Sequence, residues 1–560
     1  MVELVTAVEA QSGQVAQELI GRRCSGEDDV RRGRAGAAAS IPASPSSSAP
    51  WPRYLASSFA RGAPMSEPMG AMRLLRIPLL ASLLLAVSGC GTAKQATSTP
   101  EGADFAPAST AVYVTGVTDP ASSQWAKADE LLGHFPGQEK LLAEARKDLL
   151  DDGLTWERDV KPALGAELDL ALLDFNDAEH NYVFFTKPKD QAKFDHLLET
   201  GDDPQVHREI DGWTVFADNP QALDNFEQAR ESGDTLADEP AFQDAMSHQP
   251  DDAVLRGYVS GQRLYQLIEQ EAAKSPDARG LERFSESFGK LESVSFSAGA
   301  EDDGVAVQAA YKSKGQPTTG SFTPQLDQVL PADALAYVAF GNLEDAFDNA
   351  LLSSDANLPG VKTNITELEQ ALGFSIKSDL LPLFSKEGAI AVYRGGAETP
   401  NVLVVLQVPD EAKARKIVDR FAALASLGGQ HVRPVMIHGV EGKQILLEGL
   451  SITVVVADGK LVLSNDEALV NQALGNGEKL AMDSVYQEAL DTSGAPREMS
   501  SLVYLNLKSG IPYVFDRLGA AASGSIGQDV RANTAPLHST VLYSKQDGDR
   551  STISGFLTIK

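Results

Sequence analysis

Cysteine is nearly absent from the 560-residue chain, which carries only Cys24 and Cys90. Two cysteines cannot form the disulfide framework that holds small secreted domains together. They also exclude a structural zinc site built from four cysteine ligands. The fold must therefore rest on hydrophobic cores, and a chain of this length is expected to contain two or more domains.

Positive charge is also scarce, since 48 Lys and Arg stand against 78 Asp and Glu and leave a net charge of −30. Binding to nucleic acid depends on Lys and Arg contacts with phosphates, so nucleic acid is not expected as a partner. The same acidic excess repels anionic lipid headgroups. The apolar run 77–87 is shorter than the roughly 20 residues that a bilayer crossing needs.

The N-terminal region is predicted to be a targeting address rather than a folded domain. Residues 1–71 are rich in small residues and Pro, and we expect either a disordered leader or an upstream extension from a misassigned start. The basic start 72–76 and the apolar run 77–87 have the order of a signal peptide, which we place at 72–90.

The end of this segment, Val87-Ser88-Gly89-Cys90, resembles the bacterial lipoprotein signal called the lipobox. The resemblance implies cleavage between Gly89 and Cys90 and lipid attachment to the Cys90 thiol. Two or more acyl chains anchor a protein stably, whereas a single chain binds membranes marginally. We therefore expect an extracytoplasmic protein, lipid-anchored to the cell membrane, with residues 91–106 as a flexible tether.

The rest of the chain contains two copies of one pattern. The segment PASTAVYV at 107–114 recurs as PADALAYV at 331–338. Further residues recur in the same order: Gly153 and Gly373, Asp159 and Asp379, Pro162 and Pro382, Glu167 and Glu387, Asn181 and Asn401. The sequence predicts two tandem homologous domains, 107–312 and 331–560, joined by a linker at 313–330. Two unrelated domains with similar alternation are the alternative.

Each copy is predicted to be an α+β domain in which a largely antiparallel sheet packs with helices. The runs Ala111–Val117 and Leu335–Phe340 follow a Pro and are typical of opening strands. Gln138–Leu150 and Ile365–Leu372 have helical spacing and precede a Gly. Type I′ hairpin turns are predicted at Asp211-Gly212, Asp303-Gly304, Asp458-Gly459 and Asp547-Gly548.

The repeated pattern resembles the bacterial domain-of-unknown-function family 3352. The resemblance rests on the Pro-Ala opening strand, the helix ending in Gly, and the spacing Asp-x-x-Pro-x-Leu/Phe-x-x-Glu at 159–167 and 379–387. That family occurs in secreted or membrane-anchored proteins and has no assigned activity. The resemblance covers most of residues 107–560 and implies no catalytic residue.

The repeated acids are the strongest candidates for acid–base chemistry: Asp159, Asp379, Glu167 and Glu387. Their presence in both copies favours an architectural role, because one chain rarely needs two identical active sites. His431 and His438 flank a predicted strand but lack the spacing of a metal site. We therefore predict a protein that is not an enzyme, with no catalytic residue, no metal and no cofactor.

The expected function is a non-enzymatic binding or envelope-interaction module. Its expected partners are the membrane, through lipid on Cys90, and an envelope protein or ligand. One alternative is a carrier of lipids or other apolar ligands, with a cavity between sheet and helices. Another is an enzyme of unrecognised chemistry, which would need a cleft with convergent titratable groups.

The lipid anchor gives the first testable prediction. Cys90→Ala removes the only thiol at the predicted cleavage site, so the protein should lose its acyl mass and leave the membrane fraction. Mass spectrometry of fractionated cells measures both changes, with Cys24→Ala as the matched control that stays anchored. A Cys90→Ala protein that still carries acyl groups in the membrane fraction would contradict the assignment.

Overall fold

The computed structural model describes residues 99–560 except 201–204, 275–288, 317–319, 343–368, 370–372, 374, 377–379, 382–384, 397–398, 448 and 520–523. These residues belong to one compact unit, Met69–Lys560. The predicted signal peptide, including Gly89 and Cys90, lies outside the described residues. So do Asp379 and most of the predicted helix Ile365–Leu372.

The first half of the described chain opens with a 3₁₀ turn at Glu101–Asp104. Its strands are β1 Val112–Val117, β2 Glu167–Leu172, β3 Tyr182–Thr186, β4 Val206–Ile210, β5 Trp213–Ala217, β6 Leu255–Ser260, β7 Lys290–Glu301 and β8 Gly304–Lys314. Its helices are α1 Ser123–Gly133, α2 Gln138–Asp151, α3 Lys161–Ala163, α4 Gln191–Glu199, α5 Pro220–Arg230, α6 Pro240–Met246 and α7 Gly261–Lys274.

The second half opens with a 3₁₀ turn at Leu326–Gln328. Its strands are β9 Ala336–Phe340, β10 Gly388–Tyr393, β11 Asn401–Gln407, β12 His431–Ile437, β13 Val440–Leu447, β14 Leu450–Ala457, β15 Lys460–Ser464, β16 Ser501–Leu505, β17 Leu537–Asp547 and β18 Arg550–Ile559. Its described helices are α8 Glu411–Leu427, α9 Glu467–Leu474, α10 Ser484–Ser493, α11 Leu507–Leu518 and α12 Ser525–Thr534.

All eighteen strands form a single antiparallel sheet. The first half contributes the order β4-β5-β3-β2-β1-β6-β7-β8. The second contributes β18-β17-β16-β9-β10-β11-β15-β14-β13-β12. The predicted α+β class with an antiparallel sheet is confirmed.

The register of the central strands is the same in both halves. Tyr113 of β1 lies opposite Ala171 on one side and Tyr258 on the other. At the corresponding place in β9, Tyr337 lies opposite Ala391 and Tyr504. The second half differs by the added hairpin β12–β13 at the end of its sheet.

Strands β8 and β18 join the two halves. Gly304 pairs with Thr558 and Lys312 with Arg550, so Gln308 and Ser554 stand opposite each other at the centre of the seam. Beside the seam, Asp244 of α6 receives hydrogen bonds from Arg550 at 2.6 Å and from Lys312 at 3.1 Å. The predicted domains thus share a sheet and an ion-pair cluster.

Two of the four predicted type I′ turns are present. Asp211 and Gly212 have φ of 49° and 79°, and Asp458 and Gly459 have φ of 51° and 71°. The predictions at Asp303-Gly304 and Asp547-Gly548 are wrong. There the strands run to different ends, so the two-residue loops are 302–303 and 548–549. The alternation of apolar and polar residues predicts a strand, but it does not determine the residue at which a long strand ends.

The segment 99–106, which we call the strap, packs into the core of the first half. The ring of Phe105 lies 5.0 Å from Trp213, 5.2 Å from Phe185 and 5.6 Å from Phe226, measured between ring centroids. Arg230 covers the same ring at 3.9 Å and donates a hydrogen bond from Nε to the Phe105 carbonyl at 3.0 Å. The strap is therefore part of the folded domain.

The strap corrects the predicted tether at 91–106. Ala103 and Ala106 are completely buried, so residues 101–106 are part of the folded domain and not of a tether. The predicted linker at 313–330 is corrected in the same way, because Leu326 and Leu330 are completely buried. Small or isolated apolar residues in a Pro-containing stretch show neither helical nor strand periodicity. The sequence therefore predicts a flexible tether and a linker at these two segments.

No helix within the described ranges combines the length and the apolarity that crossing a bilayer requires.

The strap yields a stability prediction. Phe105→Ala should lower the free energy of unfolding by about 3–5 kcal/mol, since it empties a fully packed aromatic site. Asp104→Ala, at the exposed neighbouring position, is the matched control and should change little. Denaturant unfolding of both variants measures the difference. Equal stabilities would show that the strap is not part of the core.

Candidate ligand-binding cleft

The repeated glutamates hold the opening 3₁₀ turn of each half against the sheet. Glu167 Oε1, at the start of β2, accepts a hydrogen bond from the Gly102 N–H at 2.7 Å. Glu387, just before β10, accepts from the Leu326 N–H at 2.9 Å and from the Gln325 N–H at 2.9 and 3.0 Å. A carboxylate placed here satisfies N–H groups that a short helix leaves without partners.

Burial raises the pKa of Glu387 above its ordinary value, while the N–H groups of Leu326 and Gln325 act in the opposite direction. Burial also raises the pKa of Glu167, and the Gly102 N–H opposes it. The two carboxyls thus make the same local contacts. This matches the architectural role predicted for them.

Asp159 also has a local structural role. Its Oδ2 accepts hydrogen bonds from the Thr155 N–H at 2.7 Å and the Thr155 hydroxyl at 3.1 Å. The adjacent Arg158 guanidinium holds the pKa of Asp159 well below its ordinary range. Asp159 lies in a π-helical turn, Trp156–Val160, and stabilises its entry. Its predicted counterpart, Asp379, is outside the described residues.

A cleft of about 400 Å³ lies beside Glu387 in the second half. Its walls come from the segment before the 3₁₀ turn, the end of β9, the start of β10 and the end of β11. The lining residues are Gly320, Ser321, Phe322, Thr323, Gln325, Gly341, Asn342, Ser385, Lys386, Glu387 and Gln407. This volume is within the usual range for small-ligand sites.

The cleft is lined mainly by neutral polar side chains. The lining includes three side-chain amides, those of Gln325, Asn342 and Gln407, and an amide has both donor and acceptor atoms. Gln407 donates from Nε2 to Glu387 Oε2 at 3.3 Å, which ties the amide wall to the buried carboxyl. The Phe322 ring lies over Gly341, where a Cβ atom would approach it to 2.7 Å. A side chain at position 341 would therefore displace the ring.

An ion pair occupies the corresponding place in the first half. Lys187 follows β3 as Gln407 ends β11, because Leu168 pairs with Thr186 as Gly388 pairs with Leu406. Lys187 binds Glu101, which occupies the position of Gln325, and lies 4.6 Å from the centroid of the Trp213 ring. Opposite charges thus meet where the second half has two amides.

The alignment of the turns extends the repeat beyond the predicted boundary. Thr99-Pro100 precedes the first 3₁₀ turn, which begins at Glu101, and Thr323-Pro324-Gln325 precedes the second. The predicted first copy begins at 107 and so leaves this match out. The Thr-Pro pair was the available signal, and it would have placed Gln325 opposite Glu101.

The predicted histidine candidates do not form a metal site. His431 is exposed at the start of β12, and His438 has a φ of 49° in the turn between β12 and β13. Its Nε2 lies 3.0 Å from the Asn471 carbonyl oxygen. Across the part of the chain that the structure describes, no three His, Cys, Asp or Glu residues are grouped in a way that could hold a metal ion.

Comparisons with known proteins support the predicted family resemblance without adding a function. The model of a family described as a protein of unknown function, DUF3352, matches residues 199–398. This match spans the junction between the halves. Searching curated proteins with the sequence gave no match.

Among solved structures, crystal form IV of TP0453 is similar at 10% sequence identity, with 42% of this chain and 94% of that chain covered and a TM-score of 0.23. Crystal form III of TP0453 is 11% identical, with 42% and 95% covered and a TM-score of 0.23. At these scores the similarity carries no argument about fold or function.

The glutamate caps give a paired prediction. Glu387→Ala and Glu167→Ala should each lower the free energy of unfolding by about 1–3 kcal/mol, because each leaves buried N–H groups without an acceptor. Glu441→Ala, at an exposed strand position, is the control. Denaturant unfolding checks all three variants. Unchanged stability in the glutamate variants would refute the capping role.

Proposed function

We propose that this protein is an extracytoplasmic, lipid-anchored binding protein whose cleft beside Glu387 holds a short, uncharged segment of polypeptide from an envelope protein. The observation that carries the proposal is the contrast between equivalent places in the two halves. Gln325 and Gln407 line a cleft, whereas the equivalent residues Glu101 and Lys187 form an ion pair. The first half thus has an ion pair at the place where the second half has the proposed binding site.

The chemistry of the lining favours a peptide group as the ligand. An amide side chain pairs with a backbone amide through one donated and one accepted hydrogen bond. The cleft offers three amides, and it adds hydroxyl groups from Ser321 and Thr323. Glu387 has its oxygens engaged by Gln325 and Leu326, so it fixes the wall and does not act as an acid or base. This arrangement favours a role in binding.

The proposed anchor would keep the cleft close to the membrane. Residues 91–98 separate Cys90 from the strap, and a chain of that length spans at most about 30 Å when extended. The strap then enters the core of the first half through Phe105. Acidic groups on the exported part would repel anionic headgroups and hold the sheet away from the bilayer surface.

We further propose that the two halves arose by tandem duplication. Support comes from the matched registers of Tyr113 and Tyr337 and from the shared glutamate caps. Unrelated domains with similar alternation would have no reason to share both features. The duplication explains why equivalent positions carry an ion pair in the first half and two cleft-lining amides in the second.

The apolar-carrier alternative has support from a different surface. Val307 and Ile553 flank the β8–β18 seam on one face of the sheet and are each 46% exposed. Exposed apolar side chains in a row can hold an acyl chain. The predicted cavity between sheet and helices is not the place for it, because the aromatic side chains of Tyr113, Phe242 and Tyr258 fill that interface in the first half.

The cleft proposal can be tested by closing the site. Gln325→Glu with Gln407→Lys should install the ion pair of the first half and block binding. The probe is a pool of N-acetylated, C-amidated tripeptides of Ser, Thr, Asn and Gln, observed by saturation-transfer NMR. Wild-type protein should give transfer signals, and the double variant should lose at least nine-tenths of them.

The matched control makes the same chemical changes outside the cleft, at the exposed residues Gln221→Glu and Gln472→Lys. It should bind like the wild type. Transfer signals from disaccharides but not from the peptides would overturn the ligand class. Binding of an apolar probe that the cleft variant leaves unchanged would favour the carrier function at the seam.

A further inference from the structure

The two halves contain matching buried aromatic clusters. In each cluster a residue from the short helix packs edge-to-face between two tyrosines of adjacent strands, with ring centroids between 5.1 and 5.8 Å apart. The members are Tyr113, Phe242 and Tyr258 in the first half and Tyr337, Tyr486 and Tyr504 in the second. The clusters therefore define equivalent positions independently of the sequence alignment.

Each cluster has an aspartate beside it, but the aspartate comes from a different element in each half. In the first half, Asp169 of β2 is completely buried and accepts a hydrogen bond from the Tyr113 hydroxyl at 2.6 Å. In the second half, Asp327 of the 3₁₀ turn has a buried Oδ1, and its carboxyl raises the pKa of Tyr486, after burial itself. A strand in the first half and a turn in the second thus place a carboxyl beside the aromatic cluster.

Each half has an alanine at the position where the other half has its aspartate. Asp169 lies two residues before Ala171, and Ala389 lies two residues before Ala391 at the same register, so Ala389 stands where the first half has Asp169. In the turns, the N–H of Gly102 and the N–H of Leu326 bind the equivalent glutamates, which places the next residues, Ala103 and Asp327, at one position.

The turn and the strand are close enough for this exchange. A Cβ atom on Gly102 would collide with the carboxyl of Asp169, so the 3₁₀ turn lies directly against that side chain. Ala103 is completely buried beside it. The residue type at the equivalent helix position also differs between the halves. Tyr486 has a hydroxyl near Asp327 of the turn. Phe242 has none, in the half whose carboxyl lies on the strand.

We propose that Asp169 and Asp327 fill a single site of the fold, a carboxyl that each half needs between its opening turn and its aromatic cluster, with Asp169 fully buried and Asp327 partly buried. Either the strand or the turn can supply it. Burial at this site favours the protonated carboxyl, so each half contains a pH-sensitive clamp on the segment that enters it. In the first half that segment is the strap that follows the proposed tether.

The surroundings of both carboxyls disfavour charge. Burial raises the pKa of Asp169 well above its ordinary value, and the negative charge of Glu167 adds to this effect. Burial also raises the pKa of Asp327. The titratable and hydrogen-bonding groups that face them are Tyr113, Thr115, Glu167 and Glu101 around Asp169, and Tyr337, Tyr486, Glu387 and the Gln328 N–H around Asp327. The buried cation Arg256 of β6 lies in the same cross-strand row as Asp169, on the far side of Thr115, and acts on the pKa of Glu167 in the opposite direction to burial.

The sign of the pH effect follows from these directions. Because the folded-state pKa of Asp169 is raised, its contribution to stability is complete below the ordinary aspartate value of 3.8 and is lost as the pH rises through the folded-state pKa. The wild type should therefore gain denaturant midpoint relative to Asp169→Asn as the pH falls from 8 toward 5. A difference that does not vary with pH would contradict the proton-holding role.

The exchange is tested by asking whether one substitution lowers the denaturant midpoint of the wild type and raises that of a variant without Asp169. Ala103→Asp in the wild type puts two carboxyls in one site and should lower the denaturant midpoint. The same substitution in an Asp169→Ala background should raise the midpoint and recover at least half of the loss, more so with Phe242→Tyr. Equal losses in both backgrounds would overturn the single-site proposal.

The second half supplies an independent test in case the first-half variants fail to fold. Ala389→Asp should recover stability in an Asp327→Ala background, where the new carboxyl lies on the strand beside Tyr337. Circular dichroism against denaturant gives the midpoint for every variant. If neither half shows recovery, the two aspartates are unrelated and the inference fails.

Discussion

Main-chain pairing between β8 and β18 is the interaction on which the rest of the molecule depends. Without it, each half would end in a long strand with unpaired N–H and C=O groups, which invites pairing with other chains. With it, the two edges satisfy each other, from Gly304 opposite Thr558 to Lys312 opposite Arg550. The two outer edges of the sheet are β4 and β12, and β12 carries Pro434, which cannot donate to a further ladder. One contact thus pairs one edge of each half.

Sequence patterns were informative where they repeat and where periodicity is strong. The alternation around Tyr113 and Tyr337 predicts the central strands, and the Asp-Gly pairs at 211 and 458 predict two turns correctly. The repeated Glu167 and Glu387 could be recognised as architectural without a structure. Their partners could not, since main-chain N–H groups leave no signature in the sequence.

The cleft escaped prediction for a related reason. It is distinguished by two amides at positions where the other half has an ion pair, and Glu101 and Lys187 of that pair are separated by a long stretch of chain. Neither Gln325 nor Gln407 is unusual by itself. Only the comparison of the two folded halves shows that both positions differ together. The same holds for Asp169 and Asp327, whose exchange becomes visible when strand and turn are seen in contact.

The buried strap also has a mechanical consequence. Any force applied through the N-terminus enters the fold along the strap, in a buried segment and not at a loop on the surface. The first elements to bear the load are the Glu101–Lys187 ion pair and the Gly102–Glu167 hydrogen bond, followed by the ring contacts of Phe105 with Trp213 and Phe226. The load thus passes directly into strands β2 and β5 of the first half, and the seam strands β8 and β18 lie between them and the cleft in the second half.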